Sequence, residues 1–150
     1  MSGRYKKIIL AFFLSFFLIA IFLFILYGSY FKKVEVREIA IGQQKFSVEI
    51  AKNEAERNKG LSGRKSICPS CGMLFEFPVS GNHSFWMKNM EFSLDIIWIL
   101  NGEIVYISNN VSPSSYPETL GSQIVSDKVL EVNGGICEKN GMKIGDKVIF

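Results

Sequence analysis

The chain has 150 residues, 48% hydrophobic and 21% charged, with a formal charge of +3 at neutral pH. That length holds one domain of ordinary size, and the apolar content excludes disordered and collagen-like chains. The charge is an end effect: apart from Arg4, Lys6 and Lys7, the 14 remaining bases match the 14 acids, all within residues 31–150. No basic patch of the kind that nucleic acid requires is visible, so no nucleic-acid partner is expected.

Residues 8–27 (IILAFFLSFFLIAIFLFILY) form 20 consecutive positions with Ser15 as the only clearly polar member. At about 1.5 Å per residue such a helix reaches about 30 Å, the hydrocarbon thickness of a bilayer. The run exceeds the apolar core of about 7 to 15 residues in a cleavable signal peptide. Leu26-Tyr27-Gly28-Ser29 is a poor cleavage site, and no Cys follows directly to accept a lipid. The expectation is an uncleaved signal anchor, with cleavage or a buried core helix as the alternatives. Arg4, Lys6, Lys7 and the α-amino group precede the run, against Lys32 and Lys33 behind it. That asymmetry predicts a cytoplasmic N-terminus. The expected organisation is a single-pass anchor in residues 1–30, with the lipid bilayer of the cell membrane as its partner, and an extracytoplasmic domain in residues 31–150.

Residues 34–41 and 45–51 alternate polar and apolar positions around Gly42-Gln43, the pattern of a β-hairpin. Asn53 with Glu56 forms a capping-box pair and Gly60 a stop signal, predicting a helix over 54–59. Strand-like runs at 73–79 and 83–88 flank Ser80-Gly81-Asn82, and runs at 94–100 and 103–111 flank Asn101-Gly102, a type I′ hairpin signal. Residues 112–122 hold two Pro and several Ser and read as a surface loop. Strands follow at 128–132 and 147–150, with a short helix between Gly135 and Asn140. Seven or eight short strands with little helix predict a mainly β chain. The expected form is a compact β-sandwich or barrel-like domain with one or two short helices, preceded by one N-terminal transmembrane helix.

Three stretches carry a resemblance: Glu56-Arg57-Asn58-Lys59-Gly60-Leu61-Ser62-Gly63-Arg64; Gly72-Met73-Leu74-Phe75-Glu76-Phe77; and Ser84-Phe85-Trp86-Met87-Lys88-Asn89-Met90, running into Leu94-Asp95-Ile96-Ile97. Val129-Leu130-Glu131-Val132-Asn133-Gly134-Gly135 and Gly145-Asp146-Lys147-Val148 continue the same order. Over roughly residues 45–150 the sequence resembles the DUF192 family, small bacterial and archaeal domains of unknown function. The resemblance implies a compact, mainly β domain, often preceded by a signal or anchor, and brings no established activity, substrate or cofactor. This chain departs from the pattern in Cys68-Pro69-Ser70-Cys71, in Cys137, and in Met90 where the family usually has Thr. The cysteines therefore inherit no role from it.

Cys68 and Cys71 have the spacing of a zinc knuckle or a redox dithiol, and Cys137 with His83 completes a Cys₃His count. No second CxxC or His pair supports zinc, and Cys71 leads into an apolar strand instead of a helix start. A structural disulfide between two of the three is the plainer expectation, with free thiols as the alternative. No metal and no cofactor is expected. Asp95 sits in an otherwise apolar run and requires a partner, for which Arg57, Arg64 or Lys88 is the expected cation. Glu131 presents the same puzzle. Alternation places Phe85 and Met87 in the core, with Trp86 and Lys88 on the opposite side. An aromatic plate beside Lys88 and Asn89 suits a sugar or a peptide. No Gly-rich phosphate loop and no G-x-S-x-G is present, and His83 is the single His.

The leading expectation is a membrane-anchored, extracytoplasmic accessory or ligand-binding domain for a small-molecule, glycan or protein ligand. Its candidate groove comprises Arg57, Arg64, Trp86, Lys88, Asn89, Asp95 and Glu131. The alternative is an envelope glycan-directed hydrolase using Asp95 and Glu131 as acid and base.

Overall fold

A computed structural model describes residues 3–30 and 34–150, and the side chains of residues 9–25 and 34–150. The chain divides into two units between Val34 and Glu35. The first holds the helix α1 (Gly3–Tyr30). Its described large apolar side chains, Phe12, Phe13, Phe16, Phe17, Phe22 and Phe24 among them, are exposed, and their positions cover every side of the helix. Among the described residues no helix is long and apolar enough to cross a membrane. Lys32, Lys33 and the side chains of Arg4, Lys6 and Lys7, on which the orientation rests, lie outside the described residues.

The second unit is one seven-stranded sheet, β1 (Val36–Ile41), β2 (Gln44–Ala51), β3 (Cys71–Asn82), β4 (Leu94–Leu100), β5 (Glu103–Val111), β6 (Val125–Asn133) and β7 (Val148–Ile149), in the order β5-β4-β6-β3-β2-β1-β7. All neighbours are antiparallel except β2 and β3. A parallel pair needs a crossover, which residues 52–70 supply with the helix α2 (Glu54–Lys59). The two edges of the sheet approach each other through the Glu103–Lys147 bridge, with Val148 N–H donating to Gly102 O at 2.8 Å. The result is a curled, half-barrel sheet. This corrects the sandwich alternative: there is a single layer of strands, not two stacked sheets.

The local signals account for its corners. Asn53 Oδ1 accepts the Glu56 N–H at 2.9 Å while Glu56 Oε2 accepts the Asn53 N–H at 3.3 Å, completing the capping box. Asn101 and Gly102 both have positive φ, 52° and 79°, as a type I′ turn between β4 and β5 requires. Pro78 interrupts β3, since it has no N–H to give the ladder. Pairing with β6 stops at Glu76–Lys128 and resumes at Gly81–Ser126.

Side chains alternate between two apolar clusters. Inside the curl lie Phe46, Val48, Leu74, Ile97, Ile99, Leu130 and Val132, closed by Cys137 on the short helix α3 (Ile136–Lys139). On the outer face, Met73, Phe75, Ile96, Trp98 and Val129 pack with Leu61 and Met87 from the loops. Residues 83–88 are not the strand expected. They form an extended segment with one bridge, Phe85–Leu120. β3, β4 and β6 each already have two strand neighbours, so no edge is open there. The segment's Phe85 and Met87 still pack against the outer cluster, as the alternation predicts.

Candidate functional site

Beside the interruption in β3, the outer face carries a cavity of about 270 Å³. α2 contributes Arg57 and Lys59 to it, and β3 contributes Phe75 and Phe77. The end of β3 adds Asn82, the segment after it His83, Ser84 and Trp86, and β6 adds Glu131. His83 stacks on Phe77 with ring centroids 3.5 Å apart and planes 7° apart, and the Arg57 guanidinium lies 5.2 Å from the same ring. Arg57 Nη1 also donates to the carbonyls of Lys52 and Glu76, so this cation is built into the wall. Trp98 Nε1–H donates to His83 O at 2.9 Å and fixes the segment on the sheet. The 112–122 loop can lie against Trp98 because Gly121 has no Cβ; one placed there would stand 2.2 Å from Trp98 Cζ2.

Two buried side-chain polar atoms of residues lining this cavity have no partner among the described residues: Glu131 Oε2 and His83 Nε2. Glu131 is 5% exposed, and burial pushes its carboxyl up to about 8, so at neutral pH it is mostly the uncharged acid. His83 is lowered, chiefly by burial and in smaller part by Arg57, against an opposing backbone hydrogen bond with Val79. It is therefore mostly neutral at neutral pH.

Asp95 lies elsewhere. It pairs with Val132 across β4 and β6 while Ile96 pairs with Glu131. Paired residues share a face, so Asp95 points into the curl and Glu131 out of it. Asp95 is fully buried. The expectation that Arg57, Arg64 or Lys88 holds it is wrong. Its Oδ1 accepts the N–H groups of Asn110 at 2.6 Å and Gly135 at 2.9 Å, and its Oδ2 that of Cys137 at 2.7 Å. Three backbone amides satisfy the carboxylate and tie β5 and α3 to β4.

Of the seven groove residues expected, the cavity brings together Arg57, Trp86 and Glu131. Arg64 instead makes a two-pronged ion pair with Glu49, at 2.5 and 2.7 Å. Lys88 and Asn89 act through their carbonyls, which accept from Ser62 Oγ and Gly63 N–H and hold the turn after α2. Sequence reasoning missed Phe77, Asn82 and Ser84, and underrated His83. The usable signal was Pro78, which marks where β3 must leave the ladder. Cys68 and Cys71 are disulfide-bonded, and Cys137 is buried and unbonded. Its thiol is pushed up by burial and by the Asp95 carboxylate, so it stays protonated. Among the described residues no three His, Cys, Asp or Glu side chains gather as a metal site, so the Cys₃His set is not assembled.

Comparison with known proteins agrees with the fold. A solved structure of a protein of unknown function from Novosphingobium aromaticivorans DSM 12444 is 31% identical and superposes with a TM-score of 0.74, over 80% of this chain and 89% of that one. A second, from Sinorhizobium meliloti 1021 and provisionally described as a transcription regulator, is 30% identical with a TM-score of 0.73, over 77% and 94%. No curated protein matches. The profile of DUF192, described as an uncharacterized ACR, matches residues 37–150, well over half of the chain. The protein belongs to the DUF192 family.

Proposed function

We propose that this protein is a membrane-anchored, extracytoplasmic binding domain whose outer-face cavity takes a small ligand. One observation carries the binding reading: Glu131, nine-tenths buried, leaves a carboxyl oxygen unpartnered in a cavity with room for a guest. A buried polar group without a partner costs about 1–3 kcal/mol, and a guest that supplies the partner recovers it. Anchoring rests on the apolar residues 8–27 and on exposed Phe, Leu and Ile side chains around α1 that need an apolar surrounding. The orientation rests on the Lys and Arg asymmetry at the ends of that run. A hydrolase pairing Asp95 with Glu131 is not favoured, because the sheet lies between their carboxyls. Nor does the balanced charge of residues 31–150 support nucleic-acid binding.

A fragment screen by NMR on the full chain in detergent micelles tests the cavity. Hits should shift His83, Trp86 and Glu131 together; hits confined to other surfaces would overturn the reading. Protease added to intact cells should digest the domain. Protection that persists until lysis would place it on the other side of the membrane.

A further inference from the structure

The two unpartnered atoms differ in what they ask of a guest. A carboxylic acid has one O–H to donate. Imidazole in its neutral form has one N–H and one lone pair. His83 Nε2 is buried and unpartnered, and in the neutral ring it presents either a lone pair or an N–H, each of which a hydroxyl can meet. Among its buried, unpartnered atoms the cavity thus offers a donor at Glu131 and a ring nitrogen at His83. A carboxylate or phosphate supplies acceptors alone and an ammonium donors alone, whereas a hydroxyl group does both. Trp86, 54% exposed, lines the same cavity next to Ser84, giving an aromatic face to C–H surface beside hydroxyl-bonding groups.

Resting on the binding reading above, we propose that the ligand is a neutral, hydroxyl-rich molecule of sugar type, with one hydroxyl accepting from Glu131, another bonded to His83 Nε2, and its apolar face against Trp86. The other charged groups lining the cavity are Arg57 and Lys59, both from α2. Arg57 Nη1 is committed to two backbone carbonyls, and the charge of the two cations makes an anionic sugar the alternative that the test must separate.

The test uses the full chain in detergent micelles and five probes: glucose, N-acetylglucosamine, glucuronate, glucosamine and N-methylacetamide. Binding is read from the resonances of His83, Trp86 and Glu131. Glucose or N-acetylglucosamine should saturate these shifts at millimolar concentration, with glucuronate and glucosamine at least fivefold weaker. Glu131→Leu and His83→Phe should each weaken the neutral sugar about tenfold, the loss of one hydrogen bond in a buried site. Glu131→Gln, whose amide still donates, should retain affinity within about threefold. A purely structural Glu131 would not separate Gln from Leu in this way. Tighter binding of glucuronate, lost in Lys59→Ala, would overturn the ligand class while leaving a binding cavity. N-methylacetamide binding as well as the sugars would reassign the cavity to peptide amides. Silence from all five probes, with fragment hits elsewhere, would overturn the binding reading itself.

Discussion

Asp95 and Glu131 stand on neighbouring strands, both buried, and the molecule treats them in opposite ways. Asp95, turned into the curl, is met by three backbone N–H groups from three separate positions in the chain. Glu131, turned outward under the loops, has a carboxyl oxygen with no partner and a pKa raised to about 8. One buried carboxyl has its oxygens met by donors that the fold supplies, whereas the buried acid left unserved is pushed toward its uncharged form. The first arrangement builds structure; the second leaves chemistry available.

The comparison breaks most severely at Asp95. Replacement by Asn keeps one oxygen for Asn110 and Gly135 but sets an NH₂ against the Cys137 N–H, stranding a buried donor. We expect a loss of about 3 kcal/mol at neutral pH, measured by urea unfolding of the full chain in detergent with tryptophan fluorescence as the probe. A change below about 1 kcal/mol would mean that the Cys137 N–H does not need the second carboxyl oxygen.

Glu131 sharpens the contrast through pH. Its folded pKa is raised from the ordinary 4.5 to about 8, so the unfolded chain releases the proton first. Stability from the protonated form is complete below about 4.5 and declines as pH rises through 8. Glu131→Gln removes that decline. The variant should gain on the parent by a few kcal/mol, on the order of 3, between pH 5 and pH 9. Parallel pH profiles for the two proteins would show that Glu131 is ionised in the fold.

What the sequence exposes follows from the range of the interactions. The capping box and the Asn101-Gly102 turn are written in neighbouring residues, and both appear where expected. The strandlike alternation at 83–88 also reads correctly as to faces, but pairing depends on which sheet edges are open, and that is set by β3, β4 and β6 together. For Asp95 the sequence displays candidate cations and conceals backbone amides, because every residue carries an N–H and only the fold selects three of them. Glu131 stands out as a carboxylate in an apolar strand, yet its unpartnered state and its neighbour His83 arise from the β3 interruption and the segment laid over it.

The register that separates the two carboxyls is fixed partly by the β4–β5 hairpin, since Asn110 in β5 is one of the donors to Asp95. Gly102 has φ 79°, a conformation that a β-branched residue resists. Gly102→Val should cost about 1–2 kcal/mol and lower the urea midpoint. An unchanged midpoint would show that the turn does not need its positive φ.

A third carboxylate, Glu49, supplies the smallest effect and the opposite sign. The Arg64 guanidinium beside it holds its carboxyl below the ordinary range, through bonds at 2.5 and 2.7 Å, and burial opposes this more weakly. Both side chains keep about a third of their surface in water, 34% for Arg64 and 28% for Glu49, so solvent screens the pair. Arg64→Gln should therefore cost only about 0.5–1 kcal/mol at pH 7. A lowered folded pKa gives stability that is present above the unfolded value and lost as pH falls through the folded one. The gap between parent and Arg64→Gln should accordingly close on acidification, where the gap at Glu131 opens on alkalinisation. Urea midpoints at pH 7 and pH 4 decide it. A gap that persists undiminished at pH 4 would mean that Arg64 acts through packing of its stem.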